Sequence, residues 1–337
     1  MKKFINSGRR ATITDIAREV GVSTTTVINV LKGRGSEVSP PTSAKIMKVV
    51  KRVGYVKNLT ASALASAPSK LIAVVLAGTF PADARQRCLE ANPFYGDFIL
   101  RLEHEARRRG YSINLYSGEE MEALPFLLQR NYDAVLVLGV SSPQLPRLIA
   151  RHGVPQVLVD SFLPRGAFAR VCGDEALGGR LAVDHLVARG CRKLAFVGDV
   201  QKAPAALIPN LRYGAARAAS RTAGRPLTLF TTATSFDGGV AAAARVAASG
   251  CDGVVTAADV VAAGLVQGLR AAGVRVPQQV AVVGYDNLLV ATLCLPKLTT
   301  VDQRLEEKIR VAMDWIQQPK PRAVVLIPPV LVVRESA

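Results

Sequence analysis

The sequence predicts a small all-α helix–turn–helix headpiece followed by an α/β core of two doubly wound parallel-sheet lobes. Three observations carry this. Residues 1–58 repeat apolar side chains at helical spacing in short capped segments. From Leu71 onward, short β-branched runs alternate with alanine-rich helical stretches, the pattern of parallel strands covered on both faces. Basic charge gathers at the start: residues 1–58 hold twelve Lys and Arg against three Asp and Glu, a net +9 out of +17 for all 337 residues.

The headpiece resolves into three helices. Thr12 with Asp15 three residues on makes a capping-box start, and Ile13, Ile16, Ala17 and Val20 repeat until Gly21 stops them. Ser23 caps a second helix with Val27, Val30 and Leu31 inward and Gly33 as its close. Ser39 followed by Pro40 opens a third, with Ile46, Val49, Val50 and Val53 inward and Gly54 as the stop.

The second helix poses a chemical question, because three consecutive threonines, Thr24 to Thr26, are only indifferent helix formers. Burying Val27, Val30 and Leu31 turns Thr24, Thr25, Ile28 and Asn29 outward together. A helix–turn–helix puts such a face at base edges in the DNA major groove, where threonine donates, accepts or touches a thymine methyl and asparagine pairs with adenine. Ser23 and Thr26, at the helix start, suit phosphates. The local charge favours a polyanion, whose affinity is raised by counterion release.

Residues 59–69 are small and polar apart from Leu64 and read as a hinge. Strand-like runs follow at 71–77, 112–117, 134–139, 155–160, 193–198, 226–230, 252–257 and 279–286, with more after Leu298. They divide into lobe 1, about 70–171 plus 301–325, and lobe 2, about 172–300 plus the C-terminal end. In this architecture ligands bind at the carboxyl ends of strands, in the cleft between lobes.

Composition narrows the function. An apolar content of 49 % indicates a sizeable core, yet no run approaches the roughly 20 residues of a membrane span, and the start MKKFINSGRRAT lacks a signal-peptide core; a cytoplasmic protein without membrane contact is expected. Cys88, Cys172, Cys191, Cys251 and Cys294 are isolated, as are His104, His152 and His185. No H-E-x-x-H, P-loop or G-x-S-x-G motif occurs, so no catalytic residue, metal or cofactor is expected. Trp315 reads as core.

ITDIAREVGVSTTTVINVLKG, followed by VSPPTSAKIMKVVKRVGYVKN, resembles the headpiece of the lactose/galactose repressor (LacI/GalR) family of bacterial transcriptional regulators. The likeness continues through NPFYGDF (92–98), residues 173–198, residues 258–287 and PKLTTVDQ (296–303). It implies a homodimer reading a near-palindromic operator in double-stranded DNA, with a core similar to periplasmic sugar-binding proteins and a small-molecule effector, a carbohydrate. It also implies a hinge helix near Ala61–Ala65, with Leu64 wedged into the minor groove or, alternatively, docked on the core. Thr12, Thr14, Lys32 and Asn58 complete the expected DNA contacts. Ile28-Asn29 stands where the family usually has Ser-Arg, and Ser62 replaces its hinge arginine, so the operator should differ from the family's common sequence.

The resemblance further implies effector contacts. Phe94 and Tyr95 offer rings for stacking, while Asp160, Asp174 and Asp286 offer carboxylates that accept paired hydroxyls, Asp286 having helix capping as the alternative. Arg212, Asp259 and, as an aromatic or polar wall, Phe236 or alternatively Thr234 complete the set. The arginine usual three residues before a glycine falls here on Leu211, counting from Gly214, and the usual Asn before Asp259 is Ala258. The segment around residues 80–92 is longer than usual. A solute-binding protein without a DNA role is the rival reading; it accounts for the two lobes but not for residues 1–58.

Overall fold

The computed structural model describes residues 12–31, 38–53, 68–77, 92–118, 122–128, 131–139, 142–161, 163, 168–201, 207–319 and 323–337. It separates into two compact units, Met1–Ala67 and Pro68–Ala337.

In the first unit, α1 (Ile13–Val20) begins at the capping box: Asp15 N donates to Thr12 Oγ1 and Thr12 N donates to the Asp15 carboxylate at 2.9 Å. Gly21 ends it in the left-handed region, φ 77°, where a side chain would be strained. α2 (Thr24–Leu31) starts at Ser23, whose Oγ accepts Thr26 N at 3.0 Å. α3 (Pro40–Val53) has proline at its first position, where no amide is needed. Ile16, Ala17, Val27, Val30 and Ile46 form the shared core, and Leu31, Val49, Val50 and Val53 pack against it. Gly33 and Gly54 lie outside the described residues.

The second unit contains two six-stranded sheets. β1 (Leu71–Ala77), β2 (Ser112–Gly118), β3 (Ala134–Leu138), β4 (Gln156–Val159), β5 (Ala169–Gly173) and β11 (Val324–Ile327) make the first, ordered β11-β5-β4-β3-β1-β2. β6 (Leu194–Gly198), β7 (Leu227–Thr231), β8 (Gly253–Thr256), β9 (Ala281–Asp286), β10 (Thr299–Asp302) and β12 (Val330–Val332) make the second, ordered β12-β10-β9-β8-β6-β7. All pairings are parallel except that of β12 with β10. Central strands β3, β6, β8 and β9 are buried throughout, as continuous apolar runs require. The edge strands β2 and β7 depart from that expectation and carry exposed positions, Ser112, Leu115 and Ser117 in one and Thr228 and Thr231 in the other, because one flank of each is open.

The helices run back along the sheets: α4 (Pro93–Arg108), α5 (Ala123–Leu128), α6 (Gln144–Arg151) and α12 (Leu305–Gln317) with the first, and α7 (Glu175–Ala188), α8 (Leu207–Thr222), α9 (Phe236–Ala248), α10 (Asp259–Ala271) and α11 (Leu289–Leu293) with the second. Trp315 is buried in the core of the first lobe. β5 was not foreseen in the sequence, and it carries lobe 1 to Gly173; β10 places residues 301–302 in lobe 2, and β11 extends lobe 1 to Ile327. The chain therefore crosses between lobes after Gly173, after Asp302 and after Ile327, each time at the ends that close the cleft.

Candidate DNA-reading helix and interlobe cleft

On α2 the packing of Val27 and Val30 decides what faces out. Thr24 and Thr25 are exposed, and Ile28 and Asn29 are half-buried at the margin of the same face. Thr26 Oγ1 shares a 2.8 Å hydrogen bond with Ser23 Oγ, which fixes both hydroxyls at the helix start. Thr14 is exposed, whereas the Thr12 hydroxyl donates to Asp15 at 2.6 Å and is engaged in capping. Lys32, Asn58 and Leu64 lie outside the described residues.

In the second unit, strand ends and crossing segments bring together a continuous buried polar chain. Asp160, following β4 with φ 46°, accepts Lys308 Nζ through both oxygens at 2.9 and 3.0 Å. The same ammonium donates to Gln303 Oε1 at 2.7 Å, and Gln303 Nε2 donates to Asp286 Oδ1. Arg212 reaches Asp286 Oδ1 at 3.1 Å, the Ala257 carbonyl at 2.5 Å and Glu175 Oε2 at 2.9 Å, with its guanidinium 3.7 Å over the Tyr285 ring. All six groups are buried. Charges so placed are tolerated only when paired and hydrogen-bonded.

The charges shift one another. Burial pushes the Asp286 carboxyl up to about 6 despite Arg212 and Gln303, which favour its ionised form. Burial, reinforced by Asp286, pushes Asp259 up to about 8. For Arg212, burial works against the cation, but Glu175 and Asp286 outweigh it and hold the guanidinium above its ordinary value. Beside this chain opens a cavity of about 600 Å³ bounded by Asp286 and Asn287 from lobe 2 and by Asp97, Arg101, Leu305 and Arg310 from lobe 1.

Residues 12–58 match the model of bacterial regulatory proteins of the lacI family, and residues 183–337 match a periplasmic binding protein-like domain. The ribose operon repressor of Escherichia coli K12 is 30% identical over 317 residues, 90% of this chain and 91% of that protein. The HTH-type transcriptional regulator CelR of Thermobifida fusca is 32% identical over 343 residues, 97% of this chain and 98% of that protein. The chain belongs to the lacI family. A solved complex of the regulator CelR with cellobiose is similar along 97% of this chain and 100% of that one, with 29% identity and a TM-score of 0.67.

Within this lacI-family chain the expected effector residues divide into two groups. Asp160, Arg212 and Asp286 meet in the buried chain. Counting back from Gly214 to Leu211 missed the helical phase: Leu211 is half-buried, and it is Arg212 that turns inward to the strand ends. Asp259 is taken up inside lobe 2, with Leu288 N at 2.8 Å and Thr300 Oγ1 at 2.5 Å on its two oxygens. Asp174 caps α7 by accepting Leu177 N at 2.9 Å. Phe94 and Tyr95 stand edge-to-face, 5.6 Å apart, on the first turn of α4 and pack partly into lobe 1. Phe236 opens α9 and is partly exposed.

Sequence reasoning missed Lys308, Gln303 and Glu175. For Lys308 a signal existed: it occupies the inward stripe of α12, among Leu305, Ile309 and Ala312, where an unpaired charge is not tolerated. Glu175 follows a capping Asp in the first helical turn, a position that reads as dipole complementarity rather than as a buried partner.

Proposed function

We propose that this protein is a sequence-specific transcriptional regulator, a repressor, that binds a near-palindromic operator as a homodimer and responds to a carbohydrate held between its lobes. The observation that carries the DNA reading is the outward Thr24–Thr25 face of a helix whose opposite side is locked into a three-helix core. Hydroxyls there stand free to meet base edges. The lac family relationship, with a ribose operon repressor and a cellobiose-bound regulator among the relatives, supports the effector class.

The cleft chemistry is compatible with a polyol. Asp160 and Asp286 accept, Arg212 and Lys308 donate, and Gln303 does both, so sugar hydroxyls can exchange for the internal bonds without leaving a charge unpaired. Because the chain of contacts runs from lobe 1 to lobe 2, a ligand that rearranges it changes lobe closure, and closure in turn couples to DNA affinity by linkage. Dimerisation is supported by Leu289, Leu293 and Leu295, each at least 68% exposed around α11, an apolar grouping that water alone disfavours. Twofold pairing supplies two reading helices. The protein acts by binding and not by turnover, in the cytoplasm where its DNA lies; among the described residues no helix is long and apolar enough to cross a membrane.

The test is selection of duplexes from a random pool, followed by gel retardation with and without a panel of sugars. A symmetric selected site whose retardation changes with one sugar is the expected result. Sugar binding without any retained DNA favours the solute-binding reading instead.

A further inference from the structure

The five parallel strands of the second sheet all start at one edge, opposite the crossings to lobe 1. That edge collects cations. The loop between α7 and β6 brings Arg189, Arg192 and Lys193; the last turn of α8 brings Arg221, and the turn before β7 brings Arg225. Arg270 stands in the last turn of α10, Arg275 between α10 and β9, and Lys297 precedes β10. All are exposed except Arg225, which is half-buried. Neighbouring strands lie about 4.8 Å apart, so these groups spread over a front of about 20 Å.

Among the described residues none of these eight forms an ion pair. The acids interspersed with them, Asp252 and Glu335, are turned to backbone amides: Asp252 accepts Arg192 N and Lys193 N, and Glu335 accepts Lys297 N at 3.0 Å. The contrast with lobe 1 is sharp, since Arg101, Arg107, Arg108 and Arg109 on or next to α4 each pair with a carboxylate. Helix ends account for part of the pattern, because Arg221 and Arg270 sit in last turns where a cation meets the negative end of the dipole. Arg192, Lys193, Arg275 and Lys297 stand in strand-leading loops, and that explanation does not reach them.

We infer that the strand-start edge of lobe 2 is a second, sequence-independent surface for the phosphate backbone of duplex DNA. A row of unpaired like charges is self-repelling in the free protein and is relieved by a polyanion; a duplex carries one charge per about 1.7 Å of its axis and gives up counterions as each phosphate is neutralised.

The experiment measures binding of the full chain to a long duplex without operator sequence as a function of salt. R192Q/K193Q/R275Q is compared with the parent and with R180Q/R217Q/R245Q, which removes equal charge from exposed helix positions of the same lobe. The edge variant is expected to flatten the slope of log affinity against log salt by about 2 to 3, roughly 0.9 for each lost phosphate contact. The helix-face variant should leave the slope unchanged, and all three proteins should select the same operator. Equal slopes for the edge variant and the parent overturn the inference, as does an equal loss in both variants. Overturning it too would be an edge variant altered only in its affinity for polyglutamate.

Discussion

Lys308 Nζ sits 2.9 and 3.0 Å from the two carboxylate oxygens of Asp160, and its side chain is 0% exposed. The pair joins the helix α12 to the end of β4 and, through Gln303, hands lobe 1 on to Asp286 in lobe 2.

Removing one partner leaves the other charge buried and alone. K308M is expected to destabilise the full chain by about 3 to 5 kcal/mol, the usual cost of orphaning a buried ion. The double variant D160N/K308M should recover a large part of that loss. Denaturant unfolding of the core transition checks both; a double variant no more stable than K308M contradicts the pairing.

Acidity offers a second test. Asp286 and Asp259 both hold their protons to higher pH in the folded chain than the ordinary carboxylate value of 3.8. The folded state therefore binds more protons than the unfolded one between that value and about 8, and stability falls as pH rises through this window. D259N should flatten the decline at its upper end, between about pH 6 and pH 8, as read from thermal melts across pH. An unchanged profile counts against the burial of an ionisable group there.

The capping box is tested at Thr12. T12A removes the acceptor of Asp15 N and is expected to cost about 1 kcal/mol of headpiece stability. Amide exchange in residues 13–20 of the full chain should accelerate, with exchange in the core unaffected.

Much of this molecule is legible in its sequence. The helix starts at Thr12, Ser23 and Pro40 announce themselves because capping chemistry is local, and the buried central strands show as apolar runs. β5 escaped because Arg170, whose guanidinium donates to the Leu163 carbonyl, interrupts its apolar run. The cleft was half-visible: Asp160 and Asp286 stand out at strand ends, but Lys308 joins Asp160 across 148 residues of chain and Glu175 joins Arg212 across 37. Such pairings are set by the tertiary crossing of the lobes, which no local pattern encodes. The inward turn of Arg212 rather than Leu211 depended on helical phase, which one glycine does not establish.

The exposed face of α2 leads to a prediction about half-sites. With Ile28-Asn29 in place of Ser-Arg, selection from a random pool should yield a half-site differing from the family's common one, and N29A should relax the preference at one base pair, losing about 1 to 3 kcal/mol of discrimination. Recovery of the common half-site contradicts the assignment of these side chains.

Fluorescence anisotropy of a labelled duplex carrying the selected site asks whether α2 reads DNA. T25A/N29A should bind that duplex at least tenfold more weakly than the parent, about 1.4 kcal/mol or more, while binding a scrambled duplex equally well. Equal binding of the selected site by parent and variant would rule out α2 as the reading element.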